Sequence, residues 1–168
     1  MSSQGKKYSS LFLDRDGVIN YKINGYVESF DTFKFIPGSI DAICNLRVLF
    51  NYIIIITNQQ GIGKGIMKEE DLLLLHTEMI NNIESLGGYI DNIYFCPHLE
   101  SSNCDCRKPN PGMLIQAKKD YPDIIFSESY MIGDSNSDIL AAQSVGIKAI
   151  KVNDNYLLND WSQMILSK

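Results

Sequence analysis

The segment Asn51-Tyr-Ile-Ile-Ile-Ile56 is the most strongly β-forming stretch of this 168-residue chain. It is apolar at successive positions and rich in β-branched residues, which is typical of a central strand with both faces buried in a parallel sheet. It is followed by Thr57, by three amide residues at 58–60 and by glycines at 61 and 63. Hydroxyls, amides and flexible backbone are suited to holding phosphate oxygens, so this stretch predicts a central strand that ends in an anion-binding turn.

Two other short apolar runs also end in polar residues. Ser9–Leu13 is followed by Asp14-Arg-Asp-Gly17, and Tyr130–Ile132 is followed by Gly133–Asp138. In an open parallel α/β sheet, ligands bind outside the carboxyl ends of the strands. We therefore expect the polar residues after all three strands to meet in one functional site.

The two carboxylates Asp14 and Asp16 indicate a cation. At the end of a buried strand they would repel each other without a positive charge between them, and Mg²⁺ prefers such hard oxygen ligands. The same residues could form an ordinary turn or begin a Ca²⁺-binding loop. The glutamate that completes such a Ca²⁺ loop is missing, and a strand rather than a helix precedes the motif. The sequence thus favours a magnesium site.

A second metal site is predicted by Cys96-Pro-His98 and Cys104-Asp-Cys106. Four sulfur and nitrogen donors on a short loop suit tetrahedral Zn²⁺ and leave no position open for water, so the zinc would be structural. The alternative is a loop of free thiols or a disulfide, in which His98 would have no role. Arg107 and Lys108 come next, and we expect the zinc loop, residues 96–106, to fix their positions.

The remaining elements alternate between helix and strand, which predicts one α/β domain over residues 1–168. Val18–Phe35 should form a hairpin-like flap over the site, with a bend at Gly25. No insertion is long enough for a separate cap domain. Predicted helices span Ser39–Phe50, Met67–Leu86, Gly112–Tyr121, Ser135–Val145 and Tyr156–Leu166, and further strands span Ile90–Phe95 and Ile147–Val152.

The composition argues against binding to nucleic acids or to membranes. The net charge is −5 and the pI is about 4.9, which gives no electrostatic reason to expect nucleic acid or an anionic membrane as a partner. No stretch approaches about 18 uninterrupted apolar residues, and Met1–Lys7 lacks the apolar region of an export signal. Free thiols and a zinc cluster fit a reducing compartment. We expect a cytoplasmic monomer.

Four segments resemble the motifs of the haloacid dehalogenase (HAD) superfamily of phosphatases. They are FLDRDG at 12–17, ITN at 56–58, RKP at 107–109 and GDSNSD at 133–138. The resemblance covers residues from about 8 to 155. It implies a three-layer, Rossmann-like α/β fold with a central parallel sheet, no large cap domain, and hydrolysis of phosphate monoesters.

Within the superfamily, segments 14–20, 24–27, 58–62 and 104–113 resemble the heptose-1,7-bisphosphate 7-phosphatases. The five-residue spacer Leu99–Asn103 instead resembles the histidinol-phosphate phosphatases, which are the alternative. The implied substrate is a small phosphorylated sugar. A third hypothesis, from another class, is a non-catalytic binding module that keeps the fold and the zinc.

The superfamily resemblance also implies catalytic roles. Asp14 would be the nucleophile and form an aspartyl-phosphate, while Asp16 would act as general acid and base. Catalytic Mg²⁺ would be held by the Asp14 carboxylate, the Asp16 backbone carbonyl and Asp134. Thr57 and Lys108 would bind the transferred phosphoryl group.

Other residues are expected to support these groups. Asn58 would also hold phosphoryl oxygens, and Gln59 and Arg107 would contact the substrate. Asp138 would orient Lys108 or the metal ligands. His76 lies in a helix beside four leucines, and we expect it to be a half-exposed packing residue without a role in the site.

Overall fold

The computed structural model describes residues 5–168, in which five parallel strands form one sheet in the order β3-β2-β1-β4-β5. The strands are β1 (Tyr8–Leu13), β2 (Phe50–Asn58), β3 (Asn92–Cys96), β4 (Tyr130–Gly133) and β5 (Lys148–Lys151). The helices are α1 (Ser39–Leu46), α2 (Glu69–Ser85), α3 (Gly112–Asp120), α4 (Asn136–Ser144) and α5 (Leu158–Leu166). None of these helices combines the length and apolar character needed to cross a membrane.

The sheet separates two apolar cores, because successive side chains of a strand point to opposite faces. Ile53 and Ile55 of β2 pack in one core with α1, α2 and α5. Ile54 and Ile56 pack in the other with α3 and α4. This alternation explains why four successive positions of the strand, residues 53–56, are apolar, and it confirms the predicted three-layer α/β fold.

The strand order brings the ends of three strands together. The chain proceeds from β1 outward to β2 and β3, and then returns to the other side of β1 with β4 and β5. Leu13, the last residue of β1, is level with Ile55 of β2 and Ile132 of β4. The order reverses between β1 and β4, and such a point in an open parallel sheet forms a crevice at the carboxyl ends.

Two predicted boundaries were wrong at β2. The helix expected to reach Phe50 ends at Leu46, because Phe50 begins β2 and is buried there against Tyr8. Thr57 and Asn58 were expected in a turn, but they belong to β2 because they pair with β3. The other elements were shifted by no more than about two residues, the usual uncertainty of helix and strand ends.

The flap, residues 18–35, folds back onto the sheet as expected. A single antiparallel bridge joins Asn20 to Phe35, and Gly25 makes its bend with φ +105°. The ring of Phe33 stacks on Phe30, 5.3 Å between centroids, and meets Phe35 edge-on at 4.9 Å. This aromatic cluster anchors the base of the flap, while its tip reaches over the ends of the strands.

The packing of α5 on the sheet can be tested at Trp161. Its buried ring packs against Tyr130 and Phe50, with centroids 5.4 and 6.4 Å away. We expect Trp161→Ala to lower the free energy of unfolding by about 3–5 kcal/mol, measured by urea denaturation, because it leaves a cavity over β2 and β4. Met164→Ala, on the exposed side of the same helix, should change it by less than about 0.5 kcal/mol. A similar small loss for Trp161→Ala would contradict this account of the core.

Candidate active site

A cavity of about 310 Å³ lies at the carboxyl ends of β1, β2 and β4. The flap forms one wall of this cavity, and its residues there include Lys22 and Tyr26. The structure thus brings together residues that are far apart in the chain but were expected to meet. The lining includes Asp14, Asp16, Asn58, Gln59, Lys108 and Asp138.

Lys108 places a buried positive charge at the base of the cavity. Its Nζ lies 2.9 Å from Oδ1 of Asp14 and 2.6 Å from Oδ1 of Asp138, and it donates a hydrogen bond of 2.8 Å to the carbonyl of Ile56. Burial alone would lower the pKa of Lys108, but the two carboxylates outweigh burial and raise it. The ammonium is therefore charged and held in one position.

The side chain of Asp14 is buried beside Lys108. Burial raises the pKa of Asp14 to about 8, and Lys108 acts in the opposite direction. Carboxylate oxygens of Asp134 and Asp138 lie within 4.8 Å of it and of one another. Oδ1 of Asp134 is buried without a hydrogen-bond partner, and Lys22 of the flap pairs with Oδ2 at 2.5 Å. Clustered carboxylates and one unpartnered oxygen fit a hard divalent cation.

The side chain of Asp16 has a different environment from that of Asp14. Its carboxylate accepts hydrogen bonds from Arg15 at 2.8 Å, Asn20 at 2.9 Å and Gln59 at 3.1 Å. Burial opposes ionisation, but the Arg15 guanidinium and the two amides outweigh it and lower the pKa of Asp16. The Asp16 side chain is outside the carboxylate cluster, so only its backbone carbonyl remains as the expected metal ligand.

Asn58 was expected to hold phosphoryl oxygens and Gln59 to contact the substrate, and in the structure both amides form hydrogen bonds with other residues of the site. The amide of Asn58 forms two hydrogen bonds with the backbone of Lys108, accepting from its N–H at 3.1 Å and donating to its carbonyl at 3.2 Å. Gln59 donates to Asp16 and to the hydroxyl of Thr57, the latter at 2.9 Å. Both amides thus hold neighbouring site residues in place, and Thr57 keeps its own hydroxyl proton to donate.

The four predicted zinc ligands converge. Sγ of Cys96 lies 3.5 Å from Nδ1 of His98 and 3.5 Å from Sγ of Cys104. Sγ of Cys106 lies 3.2 Å from the same His98 nitrogen and 3.6 Å from Cys104. These separations are close to the edges of a tetrahedron around an ion with bonds of about 2.0–2.3 Å. All four cysteines, including the remote Cys44, are free thiols, so the disulfide alternative is wrong for this structure.

Arg107 does not line the cavity of about 310 Å³ described above, but lies beside it. It lines an adjoining cavity of about 330 Å³, which shares Asn58, Lys108 and Ser137 with the first. One guanidinium nitrogen, Nη1, is buried without a partner.

The sequence interpretation missed two buried residues. Arg15 is 1% exposed and pairs with Asp16. His76 is 5% exposed, not half-exposed as predicted, and its Nε2 lies 3.1 Å from Nη1 of Arg15. A charged residue between two motif aspartates, directly after a buried strand, was a signal that could have revealed Arg15.

The sequence of this chain is similar to those of known phosphatases. A family described as HAD-hydrolase-like matches residues 105–157. The D-glycero-α-D-manno-heptose-1,7-bisphosphate 7-phosphatase of Mycobacterium bovis is 41% identical over 140 residues, 83% of this chain and 74% of that protein. The D-glycero-β-D-manno-heptose-1,7-bisphosphate 7-phosphatase of Rhodopseudomonas palustris is 37% identical over 158 residues, 90% of this chain and 87% of that protein.

A solved structure is similar over nearly the whole fold. The D,D-heptose 1,7-bisphosphate phosphatase of B. bronchiseptica, crystallised with magnesium and phosphate, gives a TM-score of 0.85 at 28% identity. The match covers 95% of this chain and 98% of that one. The likeness thus extends beyond the motif segments to the whole arrangement of strands and helices.

The hydrogen bonds between Asn58 and Lys108 can be tested by amide exchange. Asn58→Ala should remove both, and we expect faster hydrogen–deuterium exchange in residues 104–110 with little change in β1, because buried backbone groups lose their partners. Asn82→Ala is a matched control, since that amide bonds only to its own helix at Glu78. Unchanged exchange in residues 104–110 would show that Asn58 does not hold this loop.

Proposed function

This chain belongs to the heptose-1,7-bisphosphate 7-phosphatase family of HAD-like hydrolases, and we propose that it removes the 7-phosphate of D-glycero-D-manno-heptose 1,7-bisphosphate. The observation that carries the proposal is the buried carboxylate of Asp14 with the ammonium of Lys108 fixed 2.9 Å away. A nucleophile and a phosphate-binding charge in contact, at the base of a cavity, are the two groups that phosphoryl transfer to a side chain requires.

We propose hydrolysis in two displacements. A carboxylate oxygen of Asp14 attacks phosphorus, the bond from phosphorus to the C7 oxygen breaks, and Asp16 donates a proton to the departing alkoxide. Asp16 then accepts a proton from water, which attacks the aspartyl-phosphate and releases phosphate from Asp14. Lys108 binds the phosphoryl oxygens throughout, and the Thr57 hydroxyl donates to them.

A magnesium ion fits the carboxylate cluster and would be held by Asp14, Asp134 and the backbone carbonyl of Asp16. When bound, it supplies positive charge that reduces repulsion between the Asp14 carboxylate and the phosphate dianion. Positive charge near Asp14 also has a second effect. Burial raises the pKa of Asp14, and the charge of Lys108 or of the metal would oppose this rise and favour the ionised carboxylate.

The candidate substrates are heptose bisphosphate, which has two anomers, and histidinol phosphate. The relatives favour the heptose bisphosphate, and they include both the α-type and the β-type enzymes at 41% identity. The five-residue spacer in the zinc loop is the feature that keeps histidinol phosphate as the alternative. No feature of the cavity supports the non-catalytic module, since Asp14, Asp16 and Lys108 are all in place.

A side-by-side assay tests this choice. With Mg²⁺ present, we expect kcat/KM for one heptose bisphosphate anomer to exceed that for histidinol phosphate by at least about a hundredfold, because only the sugar offers a second phosphate. Asp14→Asn should abolish turnover without loss of folding, since an amide cannot form the acyl-phosphate. A preference for histidinol phosphate would support the alternative, and full activity of Asp14→Asn would exclude Asp14 as the nucleophile.

We further propose that Cys96, His98, Cys104 and Cys106 hold a structural zinc ion. Four protein donors at tetrahedral separations leave no position for a reacting water. Cys106 directly precedes Arg107 and Lys108, so a bound zinc ion would hold the segment from which Lys108 places its positive charge against Asp14. Reduced thiolate ligands fit a reducing compartment, and we propose that the protein is a cytoplasmic monomer.

Cys106→Ser tests this link from zinc to catalysis. We expect zinc content, measured by elemental analysis, to fall from about one ion per chain, and kcat/KM to fall on the order of a hundredfold, because a positioned charge displaced by about 1 Å loses most of its effect. Cys44→Ser is the matched control and should change neither value. If Cys106→Ser lost zinc but kept full activity, zinc would only stabilise the fold.

A further inference from the structure

A buried chain of contacts joins the active site to helix α2. Arg15 donates from Nη2 to Oδ1 of Asp16 at 2.8 Å, and its Nη1 lies 3.1 Å from Nε2 of His76. The side chains of Arg15 and His76 are both buried, and neither was given a role above. We infer that His76 is a positioning residue for the reaction, which fixes the Arg15 guanidinium so that Arg15 orients Asp16. This inference rests on the phosphatase function proposed above.

The contact determines the chemical state of the His76 ring. A guanidinium has only donors, so Nε2 of His76 must accept, and the neutral ring carries its proton on Nδ1. Burial, and then the charge of Arg15, lower the pKa of His76 to about 3, which agrees with a neutral ring. His76 therefore serves as a fixed acceptor for the arginine.

The geometry leaves Arg15 few other ways to hold its position. Its Nε is already buried without a hydrogen-bond partner. The ring of Phe33 lies 5.9 Å from Cζ and provides an apolar surface but no acceptor. Without His76, a second buried nitrogen would lose its partner, and the guanidinium would be expected to turn toward water.

Asp16 would be affected because Arg15 supplies its only charged partner among the described contacts. The other two donors are the neutral amides of Asn20 and Gln59. Charge-assisted hydrogen bonds are shorter and stronger than neutral ones, so loss of Arg15 removes the strongest constraint on the carboxylate. A general acid must lie within hydrogen-bond distance of the oxygen that it protonates. A small rotation of the Asp16 side chain would move its carboxyl out of that distance.

Two substitutions of similar polarity separate positioning from packing. In His76→Gln, the side-chain carbonyl oxygen can reach the position of Nε2 and accept from Arg15. In His76→Asn, the amide is one methylene shorter and cannot. We expect His76→Gln to keep most of the wild-type activity and His76→Asn to lose it.

Two substrates with different leaving groups provide a measurement that would not change if His76 had a purely structural role. A sugar alkoxide needs a proton to depart, whereas p-nitrophenolate does not, and kcat/KM reports the steps up to that departure. For His76→Asn, we expect kcat/KM to fall by about ten- to a hundredfold for the heptose bisphosphate, the range of a misplaced general acid. For p-nitrophenyl phosphate it should fall by less than about threefold.

Two further variants complete the test. Ile83→Ala removes a buried side chain from the same helix away from Arg15, and should not alter the ratio of the two kcat/KM values. In an Arg15→Met background, His76→Asn should cause no further change in this ratio, because the group through which it acts is gone. The NMR signals of the wild-type His76 ring at pH 7 should show Nε2 as the unprotonated nitrogen.

The outcomes separate this inference from the proposed function. If the wild type hydrolysed neither ester, the proposed function and this inference would both fail. If the wild type were active but His76→Asn lowered both kcat/KM values equally or neither, His76 would have only a packing role. A protonated Nε2 in the wild-type ring would overturn the inference even if His76→Asn failed to fold.

Discussion

The contact on which the rest of the site depends is the ammonium of Lys108 between the carboxylates of Asp14 and Asp138. It joins the end of β1 to the first turn of α4, and its third bond reaches the carbonyl of Ile56 in β2. A buried charge is costly unless it is paired and fully hydrogen-bonded, and here both conditions are met. The same contact favours ionisation of the Asp14 carboxylate, which burial opposes.

Lys108 can occupy this position because its backbone is held by β2. Asn58, the last residue of that strand, forms hydrogen bonds with both backbone groups of Lys108. Cys106, two residues earlier, belongs to the cluster of four sulfur and nitrogen donors that could hold a metal ion. A side chain that reaches from a loop into a buried site needs such support, since loops have more conformational freedom than the strands they adjoin.

The sequence predicted the convergence of the site but not its inner contacts. Residues that follow parallel strands must meet at one edge of the sheet, so Asp14, Thr57 and Asp134 could be placed without coordinates. The burial of His76 was also readable, because Leu72, Leu75, His76, Met79 and Ile83 share the spacing of one helix face. The run of four leucines obscured that spacing. The hydrogen bonds of Asn58 depend on how far β2 extends and on the path of a distant loop, which no local pattern specifies.

Asp14 and Asp16 differ in pKa although only one residue separates them. Burial raises the pKa of Asp14, whereas Arg15 and two amides lower that of Asp16. The general acid that we propose Asp16 to be must carry a proton, so this proposal requires the environment of Asp16 to change when substrate binds. The approach of a phosphate dianion favours the neutral form of a nearby carboxyl, because like charges oppose ionisation. In the proposed mechanism, protonation of Asp16 would accompany the arrival of the ester. After the alkoxide departs, Arg15 would favour the ionised carboxylate that accepts a proton from the attacking water.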